Sequence, residues 1–171
     1  GGGGGGGAEV CRRLAADGVS VAAADVDLDR ARGVAGEVGA LALHLDVTDP
    51  RSVESAVATV TAELGAPTVL VGCAGWDRFR RFVDTDEAFA ARVLDINLAG
   101  PIRVTRAVLG AMVATGWGRV VHVASDAGRV GSSMEAVYAG AKGGLIAFTK
   151  TIAREHARDG VTANSVCPGP V

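Results

Sequence analysis

Aromatic residues are scarce in this chain of 171 residues, at 4 % of the composition, and no apolar run is long enough to span a membrane. The formal net charge of −2 leaves no basic surface for nucleic acid. The three cysteines, Cys11, Cys73 and Cys167, form neither a CxxC pair nor a disulfide framework, and the three histidines lack metal-ligand spacing. We therefore expect a cytoplasmic protein with a small-molecule substrate, no metal, and neither membrane nor nucleic acid as partner.

Apolar residues make up 49 % of the chain, and strand patterns alternate with helix patterns throughout. This alternation predicts an α/β fold with a doubly wound, Rossmann-like parallel sheet, in a single domain over residues 1–171. Either Thr48 or Asp49 can cap the helix that Pro50 opens. The predicted helices cover about 8–17, 27–38, 87–115 and 136–158, with one more after residue 50, and the predicted strands cover about 19–25, 41–45, 69–71, 119–124 and 161–166.

The chain starts abruptly with seven glycines, Gly1–Gly7, and stops just after a strand. A glycine loop that binds a dinucleotide normally follows a strand, and none precedes this one. We therefore expect a fold truncated at both ends.

The glycine run has two interpretations. By itself it fits a flexible linker or a sequencing artefact. It leads directly into an amphipathic helix, however, where a loop without side chains lets the backbone approach a pyrophosphate. Asp25 ends the next strand, 18 residues after Gly7, where a carboxylate can bind the adenosine ribose hydroxyls. Because a carboxylate repels a 2′-phosphate, Asp25 favours NAD over NADP, although it could also be a solvated strand end.

Two later strand ends are also candidates for cofactor contact. Asp46 and Val47 follow a strand and could touch the adenine edge, but Asp46 could equally cap the next helix. Ala74 and Gly75 follow another strand, and small residues there allow the backbone to approach a ligand closely.

The chemistry is predicted from three residues. Tyr138, the only tyrosine, and Lys142, one of two lysines, stand four residues apart at the start of a long helix, so they share one face. A nearby ammonium lowers the pKa of a phenol and so favours proton transfer. Ser125 ends the preceding strand and could hold the substrate oxygen, or it could simply cap the strand-to-loop turn.

In these motifs the chain resembles the short-chain dehydrogenase/reductase family over nearly its whole length. The resemblance implies that Asn97 holds a water in a proton relay, that Ser125 orients the substrate oxygen and that Tyr138 exchanges the proton. It also implies that Lys142 binds the cofactor ribose and tunes Tyr138. The matching positions are Gly1, Gly5 and Gly7 in the glycine loop, Asp46-Val47, Asn97-Leu98-Ala99-Gly100, the set Ser125, Tyr138 and Lys142, and Pro168-Gly169 beside the nicotinamide.

Two expectations follow from the differences between this chain and the family. The family's Asn-Asn-Ala-Gly is Gly72-Cys73-Ala74-Gly75 here, so the structural hydrogen bonds of its asparagines are missing. In addition, the family's strand before the glycine loop lies between the strands that here end at Asp25 and Val71. We therefore expect each of these two strands to lack one neighbour.

Within the family, two stretches of this chain look most like 2-hydroxycyclohexanecarboxyl-CoA dehydrogenases. They are residues 74–79 and 124–133. This resemblance implies oxidation of a hydroxyacyl-CoA with NAD by a homotetramer or homodimer. A 3-oxoacyl thioester reductase and an inactive dinucleotide-binding fragment are the alternatives. Arg78, Arg80 and Arg81 could meet coenzyme A phosphates or simply form an exposed basic loop.

Overall fold

The computed structural model describes residues 1–169, which form two compact units, one spanning Gly1–Pro67 and the other starting at Thr68. Both are built from helices and parallel strands, so the predicted α/β class is confirmed. No helix within these residues is long and apolar enough to cross a membrane.

In the first unit, helices alternate with a two-stranded parallel sheet. The register pairs Ala22 with Leu41 and Asp25 with His44. The elements are α1 (Gly5–Ala16), β1 (Ala22–Asp25), α2 (Leu28–Val38), β2 (Leu41–His44) and α3 (Pro50–Leu64).

Side-chain caps fix the starts of α2 and α3. The Asp27 carboxylate accepts hydrogen bonds from two backbone N–H groups of α2, and Asp49 caps α3 with Pro50 in its first turn. Of the two predicted caps for α3, Asp49 is therefore the one used. The predicted start of α1 at residue 8 was wrong, because the Gly4 carbonyl already accepts the Ala8 N–H at 2.7 Å and draws Gly5 into the helix.

The core of the first unit is made of small side chains, which let α1 and α2 pack closely on β1. Ala23 is fully buried in the strand. It lies in a cluster with Ala8 and Cys11 of α1 and Val34 and Ala35 of α2.

The second unit is built on a three-stranded parallel sheet in the order β3-β4-β5. Strand β5 has the predicted bounds, whereas the helix predicted over 87–115 is interrupted by a π-helical segment. The elements are β3 (Val69–Gly72), a 3-10 turn (Phe82–Asp84), α4 (Glu87–Leu94), the π segment (Asp95–Ala99), α5 (Gly100–Thr115), β4 (Gly118–Val123), α6 (Ala127–Val130), α7 (Ala136–Glu155), a second 3-10 turn (Ala157–Asp159) and β5 (Val161–Val166).

The strands that end at Asp25 and Gly72, β1 and β3, each have a single neighbour among the described residues, as expected. Within residues 1–169, β1 pairs only with β2 and β3 pairs only with β4. The core of the second unit is formed by fully buried side chains from its helices and strands, among them Val93, Met112, Val120, Leu145 and Val161.

Candidate active site

The glycine loop of the first unit is too tightly packed for side chains at several positions. A Cβ at Gly2 would lie 2.9 Å from the Ala24 nitrogen, one at Gly3 would lie 2.6 Å from the Arg30 Cβ, and one at Gly7 would collide with the Gly1 carbonyl. Gly5 faces open space instead. Close packing thus explains why position 7 is a glycine. At Gly5 the backbone is open, which leaves room for a ligand to approach it.

The N-terminus of α1 lies beside this open position. No side chain caps it, and its first turn contains no acidic residue. Its N–H groups and the positive end of the helix dipole therefore remain available to an anion, as a pyrophosphate requires.

Asp25 is buried at the end of β1 and orders the glycine loop. One carboxylate oxygen accepts the Gly1 amine at 2.7 Å and the Gly3 N–H at 3.0 Å, and the other accepts the Asp27 N–H at 3.0 Å. Burial acts to raise the pKa of Asp25, but these hydrogen bonds outweigh it and the pKa is lowered. The carboxylate is therefore charged at neutral pH and lies against the loop.

Asp46 stabilises the turn after β2 rather than capping a helix. Its Oδ1 accepts from the Thr48 N–H at 2.8 Å and from the Thr48 hydroxyl at 2.7 Å. The alternative in which Asp46 caps α3 was therefore wrong, because Asp49 has that place. Contact of Asp46 and Val47 with an adenine stays a prediction.

In the second unit, Lys142 is held beneath the end of β4. Its side chain is buried, and Nζ donates to the Val123 carbonyl at 2.9 Å. A Cβ at Gly75 would lie 3.3 Å from Asn97 Oδ1 and 3.6 Å from Lys142 Nζ. The bare backbone of Gly75 is therefore adjacent to both predicted site residues.

Asn97 is fully buried in the π segment and fixes the loop after β3. Its Oδ1 accepts the Trp76 N–H at 3.2 Å, and its Nδ2 donates to the Trp76 carbonyl at 2.6 Å and to the Val93 carbonyl at 2.9 Å. The side-chain amide thus holds the backbone on both sides of Trp76. A water bound by Asn97 stays a prediction.

Tyr138 and Ser125 are brought together, close enough for the Ser125 hydroxyl to act on the phenol and lower its pKa. The pKa of Tyr138 is raised by burial, which outweighs the lowering effect of the Ser125 hydroxyl, and the Glu135 and Asp77 charges raise it further. The pKa is therefore not lowered as expected, and the reason is burial of the phenol; the Lys142 ammonium lies 5.5 Å from the centroid of its ring.

Ser125 also has the capping role considered as its alternative. Its Oγ accepts the Ala127 N–H at 3.2 Å, which starts the turn into α6. The next residue, Asp126, donates its N–H to the Pro168 carbonyl at 3.0 Å, so the Pro168-Gly169 pair lies beside the Ser125 turn.

At position 72, where the family has an asparagine and this chain has glycine, the space of a side chain is taken by the His122 ring. A Cβ at Gly72 would lie 2.5 Å from Nδ1 of the buried His122, so the imidazole fills the space of a side chain there. His122 Nε2 lies 3.1 Å from the Thr105 hydroxyl, which donates to the Pro101 carbonyl. Nε2 is therefore the donor, and burial lowers the pKa of His122 to about 4. His122 is therefore a neutral side chain packed in the core of the second unit.

Sequence reasoning missed two carboxylates close to Tyr138. Asp77 follows β3, and no spacing rule relates it to Tyr138, whereas Glu135 is the N-cap residue of α7, three residues before Tyr138, a spacing that could have indicated it. The predicted basic loop is exposed, with the Arg78 guanidinium 5.9 Å from the Trp76 ring centroid. Within the described residues, no cluster of three or more His, Cys, Asp or Glu could hold a metal ion.

Comparison with known proteins identifies the family. The family model described as short chain dehydrogenase matches residues 1–171, and the chain belongs to this family.

Several curated relatives are similar over most of the chain. The 3-oxoacyl-[acyl-carrier-protein] reductase of Escherichia coli K12 is 35 % identical over 162 residues, which are 94 % of this chain and 66 % of the relative. The short-chain reductase NovJ of Streptomyces niveus is 37 % identical over 99 % of this chain and 66 % of its own length. Sorbitol dehydrogenase of Cereibacter sphaeroides is 34 % identical over 91 % of this chain and 62 % of its own length. The chain thus spans at most about two thirds of these proteins.

A solved structure also matches closely. It is described as ribose-5-phosphate isomerase from Brucella melitensis 16M and superposes with a TM-score of 0.95 at 35 % identity, over 99 % of this chain and 66 % of that one. Three of these four names state different compounds and the fourth states none, so the comparisons establish the family and leave the substrate to be argued from the site.

Proposed function

We propose that the protein is an oxidoreductase that transfers hydride between NAD and a secondary alcohol or ketone. The observation that carries this proposal is the grouping, within the second unit, of Ser125 and Tyr138, whose ring is 5.5 Å from the buried Lys142 ammonium, with the buried Asn97, which lies next to Gly75 as Lys142 does. When bound, NAD would supply the hydride acceptor.

The residues present fit this cofactor. In the first unit, the uncapped start of α1 and the bare backbone at Gly5 suit a pyrophosphate, and the charged Asp25 suits ribose hydroxyls more than a 2′-phosphate. In the second unit, the Lys142 ammonium suits the other ribose. The residues that would hold NAD are Gly1, Gly5, Gly7, Asp25, Asp46, Val47, Ala74, Gly75, Asn97, Tyr138, Lys142, Pro168 and Gly169.

Tyr138 would transfer the proton. An alcohol carbon gives up hydride readily only as its hydroxyl proton departs, so a base must stand within hydrogen-bond reach. The Ser125 hydroxyl lies beside the phenol and would bind the same substrate oxygen. Lys142, over the phenol ring, would stabilise the phenolate once the proton has moved.

For the substrate, we propose a hydroxyacyl-CoA of the alicyclic 2-hydroxyacyl type. The support is the resemblance of stretches 74–79 and 124–133 to enzymes that act on such thioesters. The alternative is reduction of a 3-oxoacyl thioester, which the relative from Escherichia coli favours by its name. We also propose a homodimer or homotetramer, which sedimentation analysis would distinguish from a monomer.

The test is Tyr138→Phe in the purified protein, with the absorbance of reduced nicotinamide as the assay. This substitution keeps the ring and deletes the only proton-bearing atom, so turnover should fall by about 10²- to 10⁴-fold while NAD affinity stays near normal. Ser133→Ala, which removes an exposed hydroxyl in the loop before α7, should leave turnover unchanged. Near-normal turnover by a well-folded Tyr138→Phe protein would refute the mechanism. Cofactor binding without turnover by the unmodified protein would identify an inactive binding domain.

A further inference from the structure

The helical run that carries Asn97 is weakly bonded where it passes through the π segment. The Gly100 N–H donates to the Asp95 carbonyl, five residues back, whereas an α-helix would bond it four residues back. The next residue, Pro101, has no N–H to donate to the Asn97 carbonyl. Contacts outside the helical backbone must therefore keep this stretch in its π form.

One such contact is an ion pair that spans the π segment. Arg103 Nη1 lies 2.7 Å from Asp95 Oδ1, and the two side chains are 32 % and 38 % exposed, so solvent screens the pair only in part. Arg92 is three residues before Asp95, at a usual spacing for a helical ion pair. Its guanidinium lies over the Trp76 ring instead, 4.2 Å from the centroid. Asp95 thus pairs across the segment, eight residues forward along the chain.

The spacing of this pair fits a helix that holds an extra residue. In a regular α-helix, residues eight apart are turned by about 80° from each other and lie about 12 Å apart along the axis. With one residue taken up by the π segment, Asp95 and Arg103 stand as residues seven apart would, with about 20° and about 10.5 Å between them. Helical side chains point toward the N-terminus, so an extended Arg103 reaches back to Asp95. The pair therefore forms only while the extra residue lies between its two partners.

We propose that Asp95 and Arg103 are positioning residues whose ion pair keeps the extra residue of this helix beside Asn97. The inference rests on the proposed function, in which Asn97 belongs to the site, and it adds two residues that act through Asn97. If the extra residue moved outside the pair, Asn97 would turn about the helix axis and lose its hydrogen bonds to the Trp76 backbone. Its Oδ1 would then no longer lie beside Gly75, next to the Lys142 ammonium.

The first experiment measures amide hydrogen exchange at Gly100, whose N–H makes the π hydrogen bond, and does not depend on turnover. Arg103→Gln should make this exchange about 2- to 5-fold faster, because a partly exposed ion pair no longer opposes the opening of that bond. Asp95→Asn should have the same effect, and the double variant should exchange no faster than either single one. Arg106→Gln, the same change at an exposed arginine three residues further on, is the matched control and should leave exchange unchanged. Unchanged exchange in Arg103→Gln, or additive effects in the double variant, would overturn the proposal.

The second experiment measures oxidation of 2-hydroxycyclohexanecarboxyl-CoA in water and in deuterium oxide. Arg103→Gln and Asp95→Asn should lower kcat about 2- to 5-fold and raise the solvent isotope effect on kcat, because a displaced Asn97 slows the proton transfer. Partial unfolding would instead lower kcat and leave the isotope effect as it is in the unmodified protein. Faster exchange at Gly100 with an unchanged isotope effect would therefore overturn the positioning role. An unmodified protein without turnover, in which the exchange effects are present, would overturn the proposed function and support the hold of the ion pair on the π segment.

Discussion

Replacing the buried Lys142 with methionine should stabilise the protein while abolishing its activity. The lysine is only 2 % exposed, and within the described residues no carboxylate lies within ion-pair distance. Burial lowers its pKa from the usual 10.5 to about 8, with the nearby Cys73 and Cys167 acting weakly in the opposite direction. At about 1.36 kcal/mol per pH unit, the interval between 10.5 and about 8 corresponds to about 3 kcal/mol, which is the cost of holding the charged side chain in the fold. Methionine fills a similar volume and avoids that cost.

The pH dependence follows from the same pKa. Below pH 8 the lysine is protonated in both the folded and the unfolded state, so the full cost applies. Between about 8 and 10.5 only the unfolded state holds the proton, and the stability of the unmodified protein should rise with pH. The advantage of Lys142→Met should therefore be largest near pH 7 and vanish above pH 10.5.

The assay is chemical denaturation of both proteins at several pH values under reducing conditions, with Lys150→Met as the control. Lys150 is exposed on the same helix, so its replacement should give a small difference that does not change with pH. A less stable Lys142→Met protein, or a gain that stays constant from pH 7 to pH 10, would refute the assignment of a buried charge that has a hydrogen bond but no ion-pair partner within the described residues.

Two further predictions concern Asp25 in the first unit and the contact between Gly72 and His122 in the second. Asp25→Ser should narrow the preference for NAD over NADP, measured as the ratio of kcat/KM values, because it removes the charge that opposes a 2′-phosphate; an unmodified protein that already prefers NADP would contradict the role given to Asp25. Gly72→Ala should destabilise the fold by about 1–3 kcal/mol, because its Cβ would lie 2.5 Å from the His122 ring. The cost should fall when His122 is also replaced by alanine, and an additive double-mutant cycle in denaturation would show that the two positions do not compete for space.

The sequence was most informative where local rules decide the structure. Asp49 followed by Pro50 predicts the start of α3, and alternating apolar residues predict β5 at its observed bounds. The position of Tyr138 and Lys142 on one helix face follows from their spacing of four residues. The position of Ser125 after β4 follows from the apolar strand pattern that precedes it.

The rest depends on contacts that no local pattern contains. The π segment has the same apolar periodicity as an α-helix over so short a stretch, so one continuous helix was predicted. The Tyr138 pKa is raised mainly by burial of the phenol, and one of the two carboxylates that raise it further, Asp77, is 61 residues away in the chain. Similarly, the fit of the His122 ring beside Gly72 depends on the pairing of β3 with β4.

The π segment also makes the position of Asn97 sensitive to the length of the chain. The Gly100 N–H bonds to the Asp95 carbonyl, five residues back, so the helix holds one residue more than regular α-helical bonding would place there. Deleting one residue between Asp95 and Asn97 would restore regular hydrogen bonds and turn the start of the run by about 100° relative to α5. Such a deletion would give the helix regular backbone hydrogen bonds. It would also break the hydrogen bonds between the Asn97 side chain and the Trp76 backbone.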